Sequence, residues 1–304
     1  MEYLINGFRG FCMALADSVP GVSGGTIAFI LGFYDKFINS LNNIVFGKKE
    51  EKKEAIFFLI KLLIGWVIGF IIASLVLTSL FETQIYRVSS IFMGFIIGAI
   101  PLIIKEEKES LKGKYYNLIF TLIGIIIVAL ITYFNPISGD GNVVNISNLN
   151  IGLCIYVFIA AMVAISAMVL PGISGSTLLL IFGLYIPVMT AVKEVLHFNL
   201  GALPILIIFV LGVVTGIILV IRLIKMALQK YRSQTIYLII GLMIGSLYAI
   251  VMGPTTLDIP KEPMTLHSFS IISFIFGGLI IFGLEKMKKF LENKTNNNEQ
   301  KNQE

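Results

Sequence analysis

The sequence predicts an all-α polytopic membrane protein built from two inverted-topology repeats, each a broken or re-entrant helical hairpin followed by three transmembrane helices. Three observations predict it. Hydrophobic residues make up 57% of the 304 and charged residues only 13%, where an ordinary soluble domain carries roughly a quarter charged. Apolar runs approach the ~20 residues needed to cross the hydrocarbon of a bilayer. One polar, helix-breaking stretch, from Ala16 to Tyr34, recurs between Ala167 and Tyr185.

The first copy reads Asp17-Ser18-Val19-Pro20-Gly21-Val22-Ser23-Gly24-Gly25-Thr26, and the second Met168-Val169-Leu170-Pro171-Gly172-Ile173-Ser174-Gly175-Ser176-Thr177. At a shift of 151 positions Pro20, Gly21, Ser23, Gly24, Thr26, Gly32 and Tyr34 meet their own residue types at Pro171, Gly172, Ser174, Gly175, Thr177, Gly183 and Tyr185. In a chain otherwise filled with Ile, Leu and Phe, that coincidence marks two copies of one functional element.

Taken in order, residues 1–149 form the first repeat. Its hairpin covers 3–42, because neither side of the Pro-Gly break offers a clean spanning run: seven residues separate Arg9 from Asp17, and nine, Thr26 to Tyr34, lie before Asp35. A charged, solvated loop is expected at Lys48 to Lys53, then helices at about 56–80, 87–104 and 116–134. The second repeat, 150–284, has its hairpin at 151–192, either re-entrant or fully spanning, and helices at about 203–224, 235–252 and 269–284. Residues 285–304, charged and then rich in Asn and Gln, are expected to be a disordered cytoplasmic tail. Gly65/Gly69 and Gly94/Gly98 recur in order as Gly212/Gly216 and Gly241/Gly245. Such pairs let helices approach closely, and their order supports duplication.

Charge fixes the expected orientation. The net charge of +5 reads as the positive-inside bias of a membrane protein rather than as nucleic-acid binding. With the N-terminus cytoplasmic, twenty of the 23 Lys and Arg fall on the cytoplasmic side, and only Arg87, Lys193 and Lys261 fall outside. One returning unit plus three crossings per half places the halves in opposite senses, with both termini cytoplasmic. No cleavable leader is expected, since Glu2, Asn6 and Arg9 interrupt the first apolar stretch. Cys12 and Cys154 lack ligand-like spacing and read as buried thiols. His197 and His267 fall in external loops and receive no role, and neither metal nor cofactor is expected.

Inverted duplication with interrupted helices is a recurring plan of secondary transporters, with substrate bound where the repeats meet. The motif suits an anion. Pro20 and Pro171 stop the incoming helix, and Gly21 and Gly172 permit unusual backbone angles. Ser23 and Ser174 can cap the next helix. Gly24-Gly25 and Gly175-Ser176 then bare first-turn N–H groups at the positive end of the helix dipole, while Thr26 and Thr177 add hydroxyls. Two such ends facing each other would cradle a phosphate or carboxylate. Asp17, without a counterpart in the second copy, is a candidate for coupling to a proton or cation, because carboxylates at membrane depth mark ion paths or salt-bridge partners. Arg9 is expected to pair with Asp17 or with an anionic substrate. Tyr34, Tyr185 and Trp66 read as interfacial or packing aromatics, and Arg87 as an anchor. An enzyme is not expected: the Gly21-x-Ser23-x-Gly25 frame is lost in the second copy, and no His lies in membrane sequence to activate the serine. A transporter of a small soluble anion and, more remotely, an intramembrane lipid-modifying enzyme are the alternatives.

The paired Asp-Ser-Val-Pro-Gly-Val-Ser-Gly-Gly-Thr (17–26) and Leu-Pro-Gly-Ile-Ser-Gly-Ser-Thr (170–177) motifs resemble those of the PopT-type undecaprenyl-phosphate translocases, a bacterial and archaeal membrane family, and the resemblance runs to about residue 290. It implies a plasma-membrane flippase that returns undecaprenyl phosphate, or a related polyprenyl phosphate, from the outer to the cytoplasmic leaflet for envelope polymer synthesis. The lipid's identity rests on this resemblance alone.

Overall fold

A computed structural model describes residues 2–17, 23–134, 150–196, 198–256, 260–283 and 286. The disordered tail expected at 285–304 lies outside the described residues apart from Lys286, as do the helix breakers Pro20 and Gly21, His197 and the 135–149 linker. Among the described residues the secondary structure is helical, without a strand, as hydrocarbon demands of any chain that must satisfy its backbone groups locally. Six segments among the described residues are long and apolar enough to cross a membrane: Lys49–Ala73, Thr83–Glu106, Tyr115–Tyr133, Ile151–Val169, Leu200–Lys230 and Arg232–Thr255.

The elements run in chain order as α1 (Glu2–Asp17), α2 (Gly24–Ile30), α3 (Tyr34–Phe46), α4 (Lys49–Glu106), α5 (Lys108–Leu111), α6 (Leu118–Tyr133), α7 (Ile151–Val169), α8 (Gly175–Ile181), α9 (Tyr185–Leu196), α10 (Leu203–Lys230) and α11 (Arg232–Met252). A shorter apolar helix, α12 (Ile271–Gly283), follows. Each motif unit is thus three helical pieces rather than the two-limbed hairpin expected from sequence. The extra corner is a glycine cap. In the first unit the Gly32 N–H donates to the Phe29 carbonyl and the Phe33 N–H to that of Ala28; in the second, Gly183 donates to Leu180 and Leu184 to Leu179. Both are Schellman closures, and Gly32 and Gly183 take the positive φ values, 68° and 63°, that the closure needs.

The short helices fold back along the helices before them. Near the first break, the Gly24 N–H donates to Asp17 Oδ1 at 2.6 Å; at the far end of α2, the Arg9 guanidinium lies over the Phe33 ring, 4.8 Å from its centroid. In the second unit Gly175 abuts Ala164 and Met168, while the Tyr156 hydroxyl donates to the Phe182 carbonyl at 2.8 Å. Contacts that step backwards along one helix as they step forwards along the next define a return.

Helix α4 unites two of the expected crossings and extends into the expected loop. Lys48 to Lys53 is helical from Lys49 because the Lys48 N–H donates to Glu51 Oε2 at 2.7 Å, and Glu50 and Glu51 occupy the first turn, where the dipole favours acidic residues. Its 58 residues break helical geometry at Gln84 (φ −131°, ψ 29°), and there the chain doubles back. Both limbs return to the start of α3: Lys36 lies over the Phe58 ring at 4.9 Å, and Asp35 shares Arg232 with Glu107.

Close packing follows the glycine pairs, and it links the halves. A Cβ on Gly65 or Gly69 would strike the backbone of Gly7 or Phe11 in α1, and one on Gly212 or Gly216 that of Phe158 or Met162 in α7, so each first helix packs on the equivalent partner in its own half. The later helices exchange. Gly94 packs on Phe274 of α12, and Gly241 on Thr121 of α6, so the last helix of each half lies against the second of the three crossings of the other. One buried cluster, including Ile27, Tyr34, Ile96, Val169, Ile239 and Met243, joins elements of both halves. Gly94→Leu and Gly241→Leu are each expected to lower stability by about 1–3 kcal/mol or more through overpacking, read as a drop in Tm of detergent-solubilised protein. Gly283→Leu, where a Cβ meets no atom within 4 Å, is expected to leave Tm unchanged; equal behaviour of the three variants would contradict the packing.

Candidate functional site

A helix broken inside a membrane leaves carbonyls and N–H groups that cost several kcal/mol each if unpaired. The second break, buried within the protein, leaves such groups. Helix α7 ends at Val169; Leu170 is extended (φ −78°, ψ 137°), as a residue preceding proline prefers; and Gly172 takes φ +90°. The first motif satisfies the groups this releases. The Tyr34 hydroxyl donates to the Val169 carbonyl at 3.2 Å, the Ser23 hydroxyl to that of Leu170 at 3.2 Å, and the Gly172 N–H donates to Thr26 Oγ1 at 2.9 Å.

Donor accounting orients the remaining bond. The one hydroxyl proton of Ser23 goes to a carbonyl, which only accepts. The 3.1 Å link between Ser23 Oγ and Thr26 Oγ1 is therefore donated by Thr26. Ser23 Oγ also accepts from the Thr26 N–H at 3.3 Å, making Ser23 the N-cap of α2. The chain runs in one direction, Gly172 N–H to Thr26 to Ser23 to Leu170 carbonyl. Ser23 is 1% exposed and Thr26 0%, so the arrangement is closed to solvent. Glycine makes this proximity possible: a Cβ on Gly25 would lie 2.8 Å from the Val169 carbonyl oxygen.

The first-turn N–H of α2 is already taken, by a carboxyl group of the protein itself. Asp17 Oδ1 accepts from Gly24, and its Oδ2 accepts from the Trp66 indole N–H at 2.9 Å. Arg9, half-buried, donates to Asn6 Oδ1 at 3.1 Å and covers Phe33, beyond the far end of α2 from Ser23 and Gly24. In the second unit Ser174 is buried and precedes Gly175, Ser176 and Thr177, the first turn of α8. Met168, where the first copy has Asp17, lies against Gly175.

Two residues read from sequence as interfacial or packing aromatics do pack, Tyr34 edge-on to Phe29 and Trp66 stacked on Phe70, and are also polar parts of this centre. Trp66 orients Asp17, and Tyr34 is 2% exposed with its hydroxyl on the second break. Tyr185 remains a surface aromatic, 36% exposed. The Tyr34 signal was present in the motif alignment; that of Trp66 was not, because its partner lies 49 residues away on another helix. Among the described residues no group of His, Cys, Asp and Glu could hold a metal ion.

Long apolar helices, interrupted units meeting through their breaks and a polar centre closed to solvent define a polytopic helical membrane protein. The chain belongs to the undecaprenyl phosphate translocase-like family, whose model matches residues 13–268. It is similar to the polyprenyl-phosphate transporter of Staphylococcus aureus (strain NCTC 8325 / PS 47), 37% identical over 286 residues that cover 93% of this chain and 96% of that one. It is also similar to the polyprenyl-phosphate transporter of Vibrio cholerae serotype O1 (strain ATCC 39315 / El Tor Inaba N16961), 33% identical over 268 residues, 85% of this chain and 80% of that one. No solved structure matches the chain.

Thr26→Val removes both the acceptor for Gly172 and the donor to Ser23, leaving buried groups unpaired at about 1–3 kcal/mol. A clear fall in Tm is expected, with Thr26→Ser restoring most of it. A Thr26→Val protein as stable as the parent would contradict the assigned bonds.

Proposed function

We propose that the protein is a flippase of the bacterial plasma membrane, with both termini cytoplasmic, that returns undecaprenyl phosphate or a related polyprenyl phosphate from the outer to the cytoplasmic leaflet for reuse in envelope polymer synthesis. The observation that carries the reading is the hydrogen-bonded meeting of the two breaks, Ser23 and Thr26 against Leu170 and Gly172, in a chain of this family. The two halves are inverted repeats, so the breaks are approached from opposite leaflets and one central site is offered to each in turn.

On this reading the contact between the breaks is the closed state, and rocking of one half against the other parts it. The parting frees the hydroxyls of Ser23 and Thr26, the Gly172 N–H and the first turns at Gly24-Gly25 and at Ser174, Gly175, Ser176 and Thr177. A phosphate head has the acceptor oxygens these donors need, and the isoprenoid tail stays in lipid. Arg9 supplies positive charge along the path. Asp17 occupies a donor that the head would take, so phosphate binding and the charge on Asp17 compete. Protonation weakens a charge-assisted hydrogen bond and releases the Gly24 N–H, which couples headgroup binding to a proton. The coupling would act through Asp17 held by Trp66.

Purified protein in vesicles carrying undecaprenyl phosphate in one leaflet is expected to move it to the other, with the lipid chemically unaltered and without uptake of soluble phosphate. An altered lipid would favour an enzyme, and phosphate uptake without lipid movement a soluble-anion transporter; either would overturn the proposal. An imposed proton gradient is expected to change the rate for the parent protein and to have little effect on Asp17→Asn. Equal responses of the two proteins would remove Asp17 from the coupling.

A further inference from the structure

A second polar site lies at the C-terminal end of α10, outside the central breaks. Arg222, Lys225, Met226, Gln229 and Lys230 follow one another at helical spacing and, with Asn42 of α3, line a cleft of about 280 Å³. A water takes up roughly 30 Å³ in the liquid, so the space holds a phosphate group together with several waters. Its lining contains three cations and two amides and no carboxylate. Like charges gathered on two turns of helix repel one another, and nothing in the lining offsets them. Arg222 is further held in place over the Phe46 ring, 5.6 Å from its centroid.

The surroundings specify what kind of anion fits. The apolar run of α10 ends at Ile221 and the cations begin at Arg222, so the cleft spans about 12 Å of helix where a lipid's polar head would sit. Along the same helix Leu219 and Leu223 are 53% and 57% exposed, an outward apolar track leading away from the charges. Basic pockets between membrane helices on the lysine-rich side bind anionic head groups.

We propose that the cleft between α3 and α10 binds the phosphate head of an anionic lipid, with the hydrocarbon chain running along Leu219 and Leu223. Arg222, Lys225 and Lys230 neutralise the phosphate, and the Asn42 and Gln229 amides donate to its oxygens. The ligand comes either from the bilayer's own phospholipids or from the polyprenyl phosphate pool. The inference uses neither the central breaks nor a transport step, so its fate is separate from that of the flippase reading.

The test uses full-length protein in phosphatidylcholine nanodiscs titrated separately with phosphatidylglycerol, farnesyl phosphate and inorganic phosphate, with bound lipid read by native mass spectrometry. The parent is expected to retain one or both lipids well above inorganic phosphate. The Arg222→Gln/Lys225→Gln/Lys230→Gln protein is expected to bind roughly tenfold or more weakly. Lys49→Gln/Lys52→Gln/Lys53→Gln, an equal charge change at the start of α4, is expected to bind like the parent. Gln229→Glu, which adds one negative charge and keeps every side-chain stem, is expected to weaken binding in the same direction. Loss of phosphatidylglycerol binding alone in the Arg222→Gln/Lys225→Gln/Lys230→Gln protein identifies a bilayer lipid as the ligand of the cleft, and loss of farnesyl phosphate binding alone the polyprenyl pool; both support the site. Equal losses in the two triple variants, or parent-like binding by Gln229→Glu, would overturn it.

Discussion

Backbone that leaves a helix away from water must find partners, and the rest of this structure depends on how that demand is met at the second break. Pro171 ends α7 and strands the carbonyls of Val169 and Leu170. Side chains of the other half, Tyr34 and Ser23, reach them, while Thr26 accepts the Gly172 N–H. An interruption that one half could not sustain alone is sustained jointly. The halves are therefore coupled at the place where each is weakest, and that place is also where the duplicated sequence concentrates its donors.

Packing around this centre serves the same coupling. Glycines let α1 and α4, and α7 and α10, approach within each half, while α6 lies on α11 and α12 on the second limb of α4. Each half thus lends its last helix to the other. At one end of the molecule Arg232, at the start of α11, bonds both Asp35 and Glu107, tying the start of α3 to the end of α4. The Asp35 pair is exposed and contributes little to stability, whereas the Glu107 pair is part-buried and bidentate; together they hold elements that the central breaks also join.

Much of this was legible in the sequence, for physical reasons. Composition and run length announced membrane helices, since hydrocarbon tolerates few alternatives. The repeated Pro-Gly-x-Ser-Gly pattern announced two breaks, because proline and glycine act on the backbone wherever they stand. Even the unpredicted corner at Gly32 and Gly183 had its signal in the alignment. What could not be read was partnership. A Gly-xxx-Gly pair declares close approach without naming the neighbour, so the exchange of α6 and α12 was invisible. The serine and threonine hydroxyls declared hydrogen bonding, but not that their partner in the closed arrangement is the other break. Trp66 looked like any membrane tryptophan until the fold brought Asp17 beside it. The charged stretch from Lys48 looked like a loop because its capping bond is a matter of geometry rather than of composition.

The central claim, that the two breaks hold each other through Ser23 and Thr26, is tested most directly by hydrogen–deuterium exchange of the segment containing the Gly172 amide, with the protein in nanodiscs. Strong protection is expected in the parent and much faster exchange in the Ser23→Ala/Thr26→Val protein, with helices remote from the breaks unchanged. Rapid exchange of Gly172 in the parent, or protection that survives loss of both hydroxyls, would contradict it.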